Sequence, residues 1–149
     1  MTIASRGQIA PSVVPTPSTP LLHRFAPLIA ELPIARRALR EWLERVPRHP
    51  EAVQELLIVA TELCTNAVRH AGSGLITMRA WDEDDGVVVE IEAQDNMRES
   101  STIIRNLDDP YEEGGRGMLI VQSLCDDVSI VVRGRSRFVR CRKRIPIPA

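Results

Sequence analysis

Aromatic residues are scarce. Two Trp, two Phe and one Tyr make up 3% of the 149 residues, so a core of ordinary size must be aliphatic. The stacking side chains on which single-strand nucleic-acid binders rely are nearly missing. Lysine is rarer still: Lys143 stands alone among arginines. Charge of one sign is also lacking. The net charge of −1 supplies no global attraction for nucleic acid or an anionic membrane. No apolar run is long enough to span a bilayer, and the N-terminus lacks the basic region and apolar run of a signal peptide. These absences predict a cytoplasmic protein that binds neither membrane nor nucleic acid. Cys64, Cys125 and Cys141 lie far apart, with no CxxC pair or Cys/His spacing that suggests zinc. Cys64 and Cys125 fall inside apolar helical patterns and read as small buried hydrophobes.

What is present is 44% hydrophobic and 26% charged residues, the balance of one soluble domain with a sizeable core. Residues 1–20, rich in Pro, Ser and Thr, read as a disordered tail. Residues 21–145 read as the folded domain, and 146–149 as a short C-terminal tail. Residues 21–32 carry apolar side chains suited to an edge strand or extended arm. A first helix is predicted over 33–46, with Ile34, Ala38, Leu39, Trp42, Leu43 and Val46 as its apolar face and Pro47 as its stop.

The long helix that follows organises the chain. Pro50 opens it at the first turn, and Glu51 suits the helix dipole. Leu56, Val59, Ala60, Leu63 and Ala67 recur at spacings of three and four, which makes one apolar stripe. Glu62 and Asn66 lie four apart, on one face away from the centre of that stripe. A carboxylate there can take a proton or orient a water. The amide oxygen is a hard ligand of the kind Mg²⁺ accepts. The plainer reading is two solvated polar residues on an amphipathic helix. Gly72-Ser73-Gly74 ends the helix.

A hairpin is predicted next: a strand over 75–81, a turn over 82–86 with Asp85-Gly86 as its signal, and a return strand over 87–94. Residues 95–115 form a connection longer than a compact domain usually has, the mark of a functional lid or a disordered segment. A third helix is predicted over 116–126, then strands over 128–133 and 136–144 about a turn at Gly134. This order predicts an α+β fold, a two-layer sandwich with helices on one face of a mainly antiparallel sheet.

Two further segments join the Glu62/Asn66 pair. Asp95, after the return strand, offers a carboxylate to donors such as the exocyclic amine of a base, although an Asp there is often only a turn residue. Gly114-Gly115-Arg116-Gly117 leads into the third helix. There the glycines permit close backbone approach, and the free N–H groups of the helix start favour phosphate. As a plain structural feature the same segment is a hinge. It is not a Walker A loop.

Taken together, Glu62-x-x-x-Asn66 on a long helix, Asp95 after a strand, a lid and Gly114–Val121 resemble the GHKL, or Bergerat-fold, ATPases. The closer likeness is to the small anti-sigma-factor serine/threonine kinases. Residues 62–71 look like that branch's N box, residues 37–43 look like its first helix, and the likeness runs from about 25 to 144. The resemblance implies ATP and Mg²⁺ as ligands, with Asn66 holding the metal and Glu62 as catalytic base. It implies that Asp95 contacts the adenine amine, that Gly115, Arg116 and Gly117 line the phosphates, and that 96–113 form the ATP lid. It also implies a STAS-domain anti-anti-sigma protein as substrate, a sigma factor as second partner, and a homodimer. The sequence departs from the family pattern at Asn96-Met97-Arg98, where small residues often follow the aspartate, and at Ser136-Arg137-Phe138.

Two other readings compete. One is a non-catalytic module of the same fold that sequesters a sigma factor or STAS protein. The other is nucleic-acid binding through Arg133, Arg135, Arg137, Arg140, Arg142, Lys143 and Arg144, a run that on alternating strand positions is more often a solvated face. A histidine kinase is disfavoured, because the chain is too short to add a dimerising phosphoacceptor helix pair.

Overall fold

A computed structural model describes residues 19–46, 48–70, 74–94, 102–105 and 116–145, with backbone alone at 102–105 and 116. Among the described residues six strands form one antiparallel sheet: β1 (Leu21–Phe25), β2 (Ile76–Glu83), β3 (Gly86–Gln94), β4 (Thr102–Arg105), β5 (Asp127–Arg133) and β6 (Ser136–Arg144). Their spatial order is β1-β2-β3-β6-β5-β4. Two hairpins, β2-β3 and β5-β6, are therefore joined at the middle by β3 and β6. These two strands pair along their whole length, from Gly86 opposite Arg144 to Gln94 opposite Ser136. Helices α1 (Leu32–Glu44), α2 (Pro50–His70) and α3 (Arg116–Leu124) cover one face, with α2 in contact with both of the others. This is the two-layer α+β arrangement that the element order predicts.

The core is aliphatic, as the shortage of aromatics requires. Leu56, Leu57, Val59, Ala60, Leu63 and Cys64 of α2 are buried against Ile76, Met78, Val87, Val89 and Ile91 of the sheet. Trp42 joins this cluster, and its indole N–H donates to the carbonyl of Thr19 at 2.8 Å, which satisfies the one polar atom it would otherwise bury. In α1 the buried stripe is Ala35, Leu39, Trp42 and Leu43, and Ile34 is 51% exposed. The expected face was therefore rotated at its start: Ile34 sits about 100° round the helix from Ala35.

The hairpin turn also differs from expectation. Glu83 pairs with Gly86, so β2 runs on to Glu83, the two loop residues are Asp84 and Asp85, and Gly86 begins β3. A Cβ at Gly86 would lie 2.2 Å from the carbonyl oxygen of Lys143. Glycine is needed there because β6 approaches so closely. The strand β4 falls inside the predicted lid and pairs with β5. The rest of 95–115 lies outside the described residues, as do residues 1–18 and 146–149.

The sheet face turned away from the helices carries its own ionic cover. Buried Glu90 accepts from Arg79 at 3.2 Å and from Arg140 at 3.0 and 2.6 Å. Arg140 also lies over the Trp81 ring at 5.1 Å, and Arg142 forks onto both oxygens of Glu83 at 2.8 and 3.2 Å. Lys143 points to the other side, where its ammonium donates to Glu55 at 3.1 Å and to the Leu124 carbonyl. The basic run of β6 is thus divided between two faces and largely matched by carboxylates.

Candidate functional site

The site is built on one stripe of α2. Residues four apart stack on one helical face, and Glu62, Asn66 and His70 form such a series. Two neighbouring polar residues are occupied locally: the hydroxyls of Thr61 and Thr65 donate to the carbonyls of Leu57 and Thr61 at 2.8 and 2.7 Å. Glu62 and Asn66 are half-buried, neither sunk in the core nor fully solvated.

Asn66 and His70 line a cavity with Leu63 and Ala67 of the same helix, Ile91, Ala93 and Gln94 of β3, and Arg137 and Val139 of β6. Its floor is aliphatic, and its polar groups are an amide, an imidazole, a second amide and a guanidinium. Such a slot suits a heteroaromatic ring, with apolar walls for its faces and a few hydrogen-bonding groups for its edge. The cavity measures about 30 Å³, space for a water. Entry of a purine requires the rim side chains of His70, Gln94 or Arg137 to swing aside. Gln94 lies against Gly74, whose φ of +120° only glycine adopts readily.

Glu62 stands one turn before Asn66, at the start of α3. A Cβ built on Gly117 would lie 2.6 Å from Glu62 Oε2 and 3.6 Å from its Cδ. Gly117 is the second residue of α3. The carboxylate therefore lies over the first turn of a helix, where unpaired N–H groups and the dipole favour negative charge. The positions read from sequence are in this way partly brought together: Glu62 meets Gly117, Asn66 opens on the cavity, and Arg116 is the first residue of α3. Asp95 and Gly115 lie outside the described residues. His70, Gln94 and Arg137 were missed as site residues. For His70 the signal was its place four residues after Asn66. Arg137 stands out in sequence only in the basic run and in the departure at Ser136-Arg137-Phe138, and neither tells which face it takes, since the register of β6 decides that.

Among the described residues no group of three or more His, Cys, Asp or Glu side chains comes together to hold a metal. An Asn66-based Mg²⁺ site still fits the donor set, because Mg²⁺ keeps several waters and takes one or two protein oxygens beside phosphate oxygens. Among the described residues no helix is long and apolar enough to cross a membrane.

The sequence profile of the histidine kinase-like ATPase domain matches residues 25–143. The chain belongs to that family. The ATPase domain is also similar in fold to a solved structure described as the RsbU and RsbW domains of Rv1364c from Mycobacterium tuberculosis. The TM-score is 0.64 at 16% identity, over 89% of this chain and 33% of that one. The domain thus spans about a third of the length of that solved chain, and a likeness at this identity concerns the fold alone. No curated protein matches it.

Proposed function

We propose that this ATPase domain is an anti-sigma factor with serine/threonine kinase activity, acting on a hydroxyl of a STAS-type anti-anti-sigma protein, with a sigma factor as its second partner and a homodimer as its working state. Family membership supports ATP as the nucleotide. The observation that carries the reading is the placement of Glu62 over the start of α3 at Gly117, with Asn66 one turn away on the cavity wall. A base beside a phosphate-attracting helix start is what transfer from ATP to a hydroxyl needs, since that chemistry depends mostly on positioning and charge neutralisation.

In this reading Glu62 accepts the proton of the serine or threonine hydroxyl as its oxygen bonds the γ-phosphorus. The adenine ring takes the aliphatic slot beside Leu63, Ala67 and Val139, and Asp95 meets its amine. Gly115, Arg116 and Gly117 line the phosphates, and residues 96–113 close over them. Asn66 would hold Mg²⁺, which when bound neutralises phosphate charge.

The test is incubation with labelled ATP, Mg²⁺ and STAS proteins from the same genome. Label should pass to one of them. Glu62→Ala should slow transfer by roughly 10²–10⁴-fold and spare nucleotide binding, whereas Asn66→Ala should weaken Mg²⁺-dependent binding. Unchanged transfer in Glu62→Ala would remove Glu62 as the base. The small size of the cavity favours a second reading, the non-catalytic module. Capture of a STAS protein or sigma factor with no transfer of label would establish it.

A further inference from the structure

The sheet face turned away from the helices carries a second, larger cavity, a groove of about 490 Å³, which is the size of many small-molecule sites. Strand register builds it in rows. Arg79, Glu90, Arg140 and Ser129 stand opposite one another across β2, β3, β6 and β5. In the next row Glu92, Phe138 and Val131 stand opposite one another. Arg133 lies two residues beyond Val131, on the same face of β5. Phe138 and Val131, both half-buried, thus make an apolar floor with Arg140 on one side and Arg133 on the other, and all four line the groove.

The carboxylates of the groove are occupied, and its guanidinium groups are not exhausted. Glu90 is 5% exposed. One of its oxygens accepts from Arg79 at 3.2 Å, and the other accepts from Nε and Nη2 of Arg140 at 3.0 and 2.6 Å. Arg79 also donates to Glu92 at 2.8 Å. Arg140 is held a second way, over the Trp81 ring. A buried carboxylate destabilises a fold unless it is paired. Here its pairing fixes two guanidinium groups at the wall of the groove. Arg133 is exposed and makes no hydrogen bond or ion pair among the described residues. Three guanidinium groups therefore face two carboxylates that are already bound to them.

We propose that this groove binds a small organic anion, a carboxylate or phosphate carried on a flat apolar body. The body lies on Phe138 and Val131, and the oxyanion takes the N–H groups of Arg133 and those that Arg140 and Arg79 do not give to Glu90 and Glu92. The forked donors of a guanidinium match the oxygens of carboxylate and phosphate. Side chains already held in place lose little freedom when a ligand arrives. The groove is distinct from the cavity beside Asn66. Successive residues of a strand face opposite ways, so β3 and β6 give Glu90, Glu92, Phe138 and Arg140 to the groove and Ile91, Ala93 and Val139 to the cavity. The two sites stand back to back on the same strands, and the anion site does not depend on the kinase reading.

The test is titration of the full chain with phenyl phosphate, benzoate and inorganic phosphate, with Mg-ATP present throughout. Binding is read by tryptophan fluorescence, since Arg140 covers Trp81, and by NMR shifts of the β5 and β6 amides. Phenyl phosphate or benzoate should bind about tenfold tighter than inorganic phosphate, and the tighter of the two tells phosphate from carboxylate. Arg133→Gln should weaken that binding about tenfold and leave the melting temperature unchanged. Phe138→Leu should reduce phenyl phosphate toward the affinity of inorganic phosphate. No binding of any probe at millimolar concentration would overturn the proposal, as would equal binding by Arg133→Gln and the parent. Inorganic phosphate bound as tightly as phenyl phosphate would leave an adventitious ion only. A parent dimer that Arg133→Glu splits would mean that a second copy covers the groove, and tighter binding of a hexaglutamate peptide would make it a protein-docking surface; either result also overturns the proposal.

Discussion

The carboxylate of Glu62 lies so close to Gly117 that a single methyl group there would come within 2.6 Å of Oε2. The atom in the way is the far end of a flexible side chain, so Gly117→Ala should fold and push the carboxylate aside. Alanine also favours the helix by about 1 kcal/mol over glycine. Stability should therefore hold or rise while the activity assigned to Glu62 falls, by roughly 10–10²-fold for a misplacement of about 1 Å. Thermal melts and label transfer on one preparation check this. A variant that transfers as fast as the parent would show that the position of Glu62 does not matter.

Met97 lies outside the described residues, and the expectation for it comes from sequence. A small residue near this point in the family leaves room beside the base. Methionine instead adds a long, flexible side chain. Met97→Gly should tighten Mg-ATP binding about tenfold, a gain of about 1.4 kcal/mol, as read by calorimetric titration. Tight binding by the parent that the glycine weakens would make Met97 a nucleotide contact.

Gly86 and Gly134 should respond oppositely to substitution. At Gly86 a Cβ meets backbone, 2.2 Å from the Lys143 oxygen and 3.1 Å from the Arg144 Cα, and neither can give without disturbing the β3-β6 ladder. Gly86→Ala should cost about 1–3 kcal/mol and lower Tm by roughly 3–8 °C. Gly134, with φ of +60° and open space where its Cβ would be, should accept Asn almost without loss, since Asn tolerates the left-handed region. Equal melting of Gly86→Ala and the parent would mean that the two strands can separate there at little cost.

Acid should weaken the Glu83–Arg142 pair. The Arg142 hydrogen bonds hold the Glu83 carboxyl below its ordinary value. With the folded value below the unfolded one, the contribution is fully present above the ordinary glutamate range and is lost as pH falls through the folded value. Both side chains are partly exposed, so the contribution is small, up to about 1 kcal/mol. In urea titrations Glu83→Gln should be less stable than the parent at pH 7. The gap should close as pH falls below about 4 and shrink in high salt. A gap that stays constant with pH would trace to packing instead of charge.

What the sequence alone determined was local. The three- and four-residue spacing along α2, proline at its first turn and the paired strands about each turn all show in neighbouring residues, because helix and hairpin geometry act over a few positions. The Glu62/Asn66 pair was legible for the same reason. The tertiary structure decided whatever depends on segments far apart in the chain. It set β3 beside β6, and it made a strand of Thr102–Arg105, four residues too short to announce themselves without β5 to pair with. It turned Arg137 toward the cavity and Arg140 toward Glu90, a choice that rests on strand register, where one step moves a side chain to the other face. It also brought Gly117 onto Glu62, a contact that exists only once α3 has packed beside α2 on the sheet.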